Sequence, residues 1–221
     1  MTLKIAILGS TGSIGKTLLE IIKKNKSKFE VQLLTANSDH TNLYKQAKIF
    51  KVKNLIITNK QSYEILKKKF LKTKVNVFNS FDKLESIFRR KKIDYVMSAI
   101  MGINGLEPTF RIIKYTKKIA IANKESIICA WNLIKNELVK HNTKFIPVDS
   151  EHFSLWYALK NTSVSNIEKV YLTASGGPLL KTQRSNFKNI SLKKALKHPT
   201  WMMGKKISID SCTMMNKVFE V

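Results

Sequence analysis

Arginine is nearly missing from this strongly basic chain. Of its 40 basic residues only Arg89, Arg90, Arg111 and Arg184 are arginines, and the other 36 are lysines set against 15 acids. Readers of bases and phosphates lean on the planar guanidinium for bidentate contacts, and these lysines run along the whole chain without gathering into one patch. A nucleic-acid partner is therefore not expected, and the net charge of +25 acts as a weak attraction for anionic, phosphorylated ligands. Cysteine is equally scarce. Cys129 and Cys212 lie far apart with no C-x-x-C spacing, which excludes a disulfide framework and a thiolate zinc site and fits a reducing cytoplasm. No apolar run approaches the roughly 20 residues of a membrane helix, and MTLKIAILGS lacks a signal-peptide core and cleavage pattern. Neither a membrane partner nor export is expected. An apolar content of 43% in 221 residues is ample for a buried core.

What the chain does have is strict alternation. The short β-branched runs KIAIL (4–8), VQLL (31–34), NLIIT (54–58), VNVF (75–78), DYVMSAI (94–100), KIAIA (118–122) and KFIPV (144–148) are separated by helical patterns. These include GKTLLEIIKK, TNLYKQAKIF, SYEILKKKF, LESIFRR, LEPTFRIIKY and ESIICAWNLIKNELVKH. Strand and helix in turn predict an α/β fold, a Rossmann-like doubly wound parallel sheet covered on both faces. The alternation stops near Pro147. A first domain is expected over 1–147 and an incomplete α+β catalytic domain over 148–221, opening on a strand at VYLTA (170–174).

Directly after the first run comes GSTGSIG, with glycines at 9, 12 and 15 ahead of a helix. Glycines there permit a tight turn and a close backbone approach to a pyrophosphate seated at the helix N-terminus. The second run leads into TANSD (35–39), whose first polar groups are neutral and whose Asp39 comes late; this leans towards NADP over NAD. KIAIANKES ends with Asn123, Lys124, Glu125 and Ser126 at the carboxyl edge where ligands of open sheets bind.

PVDSEHFSLW (147–156) sets Asp149 and Glu151 two positions apart. On an extended backbone both acids face one point and need a cation between them; alternatively Asp149 or Ser150 caps a helix through FSLWYALK. TASGGP (173–178) offers Ser175 and two glycines either to an anion or to a plain turn. HPTWMMGKK (198–206) is a Pro/Gly-bounded loop with His198 and Trp201, either a lid or core. DSCTMMNKVFE (210–220) places Ser211 ahead of a helical stretch in which Asn216 and Glu220 share a face and Lys217 lies three before Glu220.

In this order GSTGSIG, NKES, VDSEH, SGGP, HPTWMMGKKIS and DSCTMMNK resemble the 1-deoxy-D-xylulose 5-phosphate reductoisomerase family over nearly the whole chain. The resemblance implies an NADPH-dependent, Mg²⁺- or Mn²⁺-dependent oxidoreductase of isoprenoid synthesis that rearranges and reduces a sugar phosphate. It implies that NADPH is contacted by Thr11, Gly12, Ser13, Ile14, Asn123, Glu125 and Gly204. Asn37 and Ser38 stand where the family's second cofactor loop carries Gly and a basic residue. Asp149, Glu151 and Glu220 become the metal ligands, and Lys124, Ser150, Glu151, Ser175, His198, Ser211, Asn216, Lys217 and Glu220 the substrate site, with Lys124, Glu151 and His198 closest to the chemistry. Family members continue beyond the position of Val221, so the reading is of a C-terminally truncated member, with the family's homodimer not expected of this chain. Two rivals stand beside it: another NAD(P) oxidoreductase, such as a semialdehyde dehydrogenase using Cys129 or Cys212, and a non-catalytic NADP-binding remnant.

Overall fold

The computed structural model describes residues 2–88, 92–202 and 204–221. The chain divides into two units, Met1–Asp149 and Ser150–Val221.

In the first unit strands and helices alternate: β1 (Leu3–Leu8), α1 (Ser13–Lys24), β2 (Phe29–Ala36), α2 (His40–Phe50), β3 (Asn54–Ile57), α3 (Lys60–Lys69), β4 (Asn76–Phe78), α4 (Leu84–Phe88), β5 (Tyr95–Ser98), α5 (Leu106–Ile112), β6 (Lys118–Ile121), α6 (Lys124–Lys140) and β7 (Lys144–Pro147). Arg89 and Arg90, the expected end of the LESIFRR helix, lie outside the described residues. Among the described residues the seven strands form one parallel sheet in the order β4-β3-β2-β1-β5-β6-β7. The order reverses between β1 and β5, where the loops leaving neighbouring strands diverge and open a crevice at the carboxyl edge.

Helices on both faces explain why the strands read as unbroken apolar runs. Successive side chains of a strand point to opposite faces. On β1, Ile5 and Ile7 join one core with Leu19, Ile22, Leu34, Leu43, Leu55 and Leu66. Ala6 and Leu8 join the other with Leu33, Ile56, Val96, Ile112, Ile119 and Ile134. Each fully buried Leu or Ile contributes about 1.5–3 kcal/mol of transfer free energy, so this unit has two sealed apolar layers of its own.

The second unit is helices and loops: α7 (Ser150–Ala158), α8 (Leu192–Ala195), α9 (Lys205–Cys212) and α10 (Met215–Val218), with 3-10 turns at Val164–Asn166, Gly177–Leu179 and Arg184–Asn189. The strand expected at VYLTA is not formed, and Val170 and Tyr171 are exposed. A strand exists only when its backbone is paired, and among the described residues no segment of this unit pairs with 170–174. ISID, which follows HPTWMMGKK, is helical within α9. Met203, within that segment, lies outside the described residues.

Candidate active site

In the first unit, one group of the candidate residues is placed at the end of β1. Gly9 adopts φ +81°, and a Cβ there would sit 2.8 Å from the Ala99 carbonyl oxygen; a Cβ on Gly15 would sit 2.5 Å from the Gly9 carbonyl oxygen. Only glycine fits this double approach. Gly12 is the N-cap of α1 and brings no side chain to satisfy the first N–H groups, which leaves them as donors to an anion. Thr11, Gly12, Ser13 and Ile14 form this head, with Gly12, Ser13 and Ile14 exposed.

Three residues that the motif reading missed hold the loop in place. Ser10 is fully buried, and its Oγ donates to Gln46 Oε1 at 2.8 Å and lies 3.2 Å from the Thr35 carbonyl. Gln46 Nε2 on α2 donates back to the Ser10 carbonyl at 2.9 Å. Thr35 Oγ1 accepts from the Gly9 N–H at 2.9 Å. The only hint in the sequence is a polar residue inside each of two otherwise core-facing patterns, Thr35 on β2 and Gln46 on α2.

Asn37 and Ser38 follow β2, and their backbone carbonyls accept from the Asn59 N–H and the Ser62 hydroxyl. Asp39 is the N-cap of α2 and accepts from the Asn42 N–H and side chain. Burial raises its pKa, yet the Asn42 hydrogen bonds and the nearby Lys16 and His40 outweigh this and hold the carboxyl below its ordinary value. A carboxylate spent on capping is poorly placed to take a ribose hydroxyl, in keeping with the lean to NADP.

At the carboxyl edge of β6, Asn123 caps α6 by accepting from the Ser126 N–H at 2.8 Å. Lys124 and Glu125 open the helix. Lys124 Nζ lies 3.8 Å from a carboxylate oxygen of Asp149, with both side chains largely buried.

The second unit gathers two clusters. In one, Lys217 on α10 donates to Glu151 on α7 and to Glu220, at 2.5 Å in the latter case. These two acids, 69 positions apart in sequence, offer oxygens within 4.8 Å of one another. Burial raises the Glu151 pKa, but hydrogen bonds from Lys217 and Ser150 prevail and the carboxyl lies below its ordinary value. Burial lowers that of Lys217 while its bonds to Glu151 and Glu220 more than compensate, so the ammonium is held above its ordinary value. Of the two backbones open for 149–151, the helix is the one formed: Ser150 and Glu151 lie in the first turn of α7, where a carboxylate is favoured by the helix dipole. Lys217, named for the substrate site, lies between the two acids.

In the other cluster, Ser175 Oγ lies 3.1 Å from His198 Nε2 and 3.4 Å from Ser211 Oγ. His198 Nδ1 accepts from the N–H groups of Thr200 and Trp201, both at 3.1 Å. That network assigns the proton to Nε2, which donates to Ser175. The buried imidazole stacks on Trp201 with ring centroids 5.1 Å apart and an interplanar angle of 14°. Asn216 sits on α10 beside Lys217, and Gly204 is the N-cap of α9.

The family description "1-deoxy-D-xylulose 5-phosphate reductoisomerase" matches residues 5–131, and its C-terminal domain description matches 145–221. The chain belongs to the 1-deoxy-D-xylulose 5-phosphate reductoisomerase family. It is 59% identical over 219 residues to the reductoisomerase of Pelagibacter ubique (strain HTCC1062), covering 99% of this chain and 56% of that protein. Identity to the reductoisomerase of Wolbachia pipientis subsp. Culex pipiens (strain wPip) is 42%, with the same coverage. The chain thus spans about half the length of the relatives it matches. Among solved structures, the reductoisomerase from Zymomonas mobilis in complex with NADPH superposes with a TM-score of 0.88 at 34% identity, over 100% of this chain and 56% of that one. A reductoisomerase in complex with NADPH, fosmidomycin and magnesium gives 0.83 at 33% identity, over 99% and 56%.

Proposed function

We propose that this chain carries the NADPH- and divalent-metal-dependent conversion of 1-deoxy-D-xylulose 5-phosphate to 2-C-methyl-D-erythritol 4-phosphate, a step of isoprenoid synthesis. The observation that carries the reading is the approach of Glu151 and Glu220 to within 4.8 Å around a cation. Two carboxylates held that close repel one another, and the Lys217 ammonium answers in charge what a divalent ion would answer more strongly. Hard oxygen donors suit Mg²⁺ or Mn²⁺. Asp149 is the third donor of the proposal. It lies two residues from Glu151, so the chain itself keeps their Cα atoms within about 7 Å.

The first unit would hold the dinucleotide. The orphan N–H groups at Ser13 and Ile14, in the first turn of α1, take the pyrophosphate, and Asn37 and Ser38 at the end of β2 take the adenosine side with its 2′-phosphate. NADPH supplies the hydride, and the metal supplies Lewis acidity and a template for the substrate oxygens. The chain's own residues do the rest. Lys124 orients a substrate oxygen with its ammonium. His198 offers its Nε2–H to a substrate oxygen in exchange for Ser175 Oγ, and Ser175, Ser211 and Asn216 grip the phosphate. Trp201, stacked on His198, excludes water from that face. The two free cysteines fit a cytoplasmic setting, and among the described residues no helix is long and apolar enough to cross a membrane.

The test is NADPH oxidation by this chain with the sugar phosphate, with and without Mn²⁺, alongside Glu220→Gln and an NADH control. Turnover that needs the metal, prefers NADPH and disappears in the variant is expected. Cofactor binding with no turnover at any metal concentration would establish the non-catalytic reading in its place.

A further inference from the structure

Lysines that lie scattered along the sequence are gathered by the sheet. Three segments of the first unit join the end of a helix to the start of the next strand: KKNKSK (23–28) from α1 to β2, KIFKVK (48–53) from α2 to β3, and KKKFLKTK (67–74) from α3 to β4. They carry twelve lysines and no acid. Because β2, β3 and β4 are parallel neighbours, all three segments reach the amino edge of the sheet, about 5 Å apart where the strands begin. The Asn76 N–H donates to the Lys53 carbonyl at 2.7 Å and seats β3 and β4 side by side. Across the helices, the ring of Tyr44 on α2 takes the ammonium of Lys48 at 5.9 Å and that of Lys69, from α3, at 5.1 Å.

A lysine in the last turn of a helix is favoured by the helix dipole, which accounts for Lys23, Lys24, Lys48 and the start of the third segment. That effect fades within the last turn, and Lys26, Lys28, Lys51, Lys53, Lys72 and Lys74 lie past it. All twelve lysines are exposed, and among the described residues none makes an ion pair. Like charges set so close repel one another. The loops at the opposite edge of the same strands, residues 37–40, 58–61 and 79–82, hold one lysine and two aspartates. The row therefore belongs to one edge and is not a property of every loop.

Charge of one sign calls for a polyanion, and the other side chains say which. The three segments contain no arginine, so they offer no planar fork to a base or a phosphate. Nor is there a free ring for a base to stack on: Tyr44 already holds two ammoniums, and Phe70 is buried against it. What stands out among the lysines is aliphatic, Leu71 at 72% and Ile49 at 48% exposure. Ammoniums surrounding exposed aliphatic side chains match anionic headgroups above an acyl layer. We propose that the amino edge of β2, β3 and β4 is a docking face for an anionic lipid bilayer, with the lysines on the headgroups and Leu71 entering between them. Such a surface contact needs no membrane-spanning helix.

Flotation of the full chain with vesicles of phosphatidylcholine alone, and of phosphatidylcholine with about one-third phosphatidylserine, tests this. Binding only to the anionic vesicles is expected at about 0.15 M salt, with most of it lost at about 0.5 M. Lys68→Gln, Lys72→Gln and Lys74→Gln together should weaken it about 100-fold, because each lysine at an anionic surface is worth about five-fold. The same change at Lys160, Lys181 and Lys188, three exposed lysines of the second unit, should cost less than about ten-fold. Leu71→Ser should cost about five-fold and leave the salt dependence unchanged. Every substituted side chain is exposed, so folding is not at risk. Equal losses in the two triple variants, or none in Leu71→Ser, overturn the proposal. The wild type alone overturns it by binding both kinds of vesicle equally, by staying bound at the higher salt, or by ignoring anionic vesicles; if it then binds polyuridylate, the face belongs to nucleic acid.

Discussion

Replacing Lys217 with Met should tighten divalent-metal binding, although the change removes a residue from the centre of the site. In the structure the ammonium bridges Glu151 and Glu220, with 17% of the lysine side chain, 27% of Glu151 and 3% of Glu220 exposed. A metal ion must displace this resident cation before it can use the same oxygens. Methionine keeps the length and the apolar stem and removes the charge. The two carboxylates then face each other within 4.8 Å, and their repulsion is about 0.9 kcal/mol at the permittivity of water and about 3.5 kcal/mol at an effective value of 20. The half-buried setting lies between these limits, so the metal-free variant should lose about 1–3 kcal/mol of stability in the second unit. A divalent ion relieves that repulsion, and Mn²⁺ affinity should rise by about 5- to 100-fold at neutral pH, since each 1.4 kcal/mol is a factor of ten. Calorimetric titration of Mn²⁺ into wild type and variant measures the affinity directly. Melting with and without Mn²⁺ should show a lower metal-free transition in the variant and a larger upward shift on adding the ion. Unchanged or weaker Mn²⁺ binding in Lys217→Met would refute the argument, because it would mean that the ammonium supports the donor set without competing for it.

Gln46→Leu should destabilise the first unit by about 1–3 kcal/mol, because the buried Ser10 hydroxyl and carbonyl lose their partner; it should also weaken NADPH binding, and denaturant melts with cofactor titrations check both effects. Asp39→Asn removes a charge from the N-cap of α2, and its cost depends on pH with a definite sign. The Asp39 carboxyl lies below its ordinary value in the folded chain, so its contribution is fully present above the unfolded pKa of about 3.9 and is lost as pH falls through the lower folded value. Melting curves of wild type and variant should therefore differ at neutral pH and converge in acid. A gap that persists or widens in acid would show that the carboxylate charge is not the source.

The doubly wound sheet was legible in the sequence because it follows from local chemistry. Runs such as KIAIL and NLIIT are β-branched and apolar on both sides, and only a strand covered on both faces accommodates that pattern. The glycines of GSTGSIG likewise announced a turn with close approaches, and their order along the chain identified its place after β1. VYLTA has the same composition as those strands and is not one, because a strand needs a neighbour to accept its backbone hydrogen bonds and composition says nothing about the neighbour. The order of motifs nominated Glu151, Lys217 and Glu220, but their arrangement was a tertiary outcome. Helix spacing places Lys217 near Glu220, whereas nothing local brings α7 to α10 or decides that the ammonium comes to rest between two acids. The same holds for Asn123. Its place at the end of β6 is legible in the sequence, whereas only the fold brings the carbonyls of Ile100 and Gly102 within reach of its two amide hydrogens. Local pattern determines which residues are apolar, capped or turned; long-range pairing alone determines which polar atoms are already spent, and so which remain for a ligand.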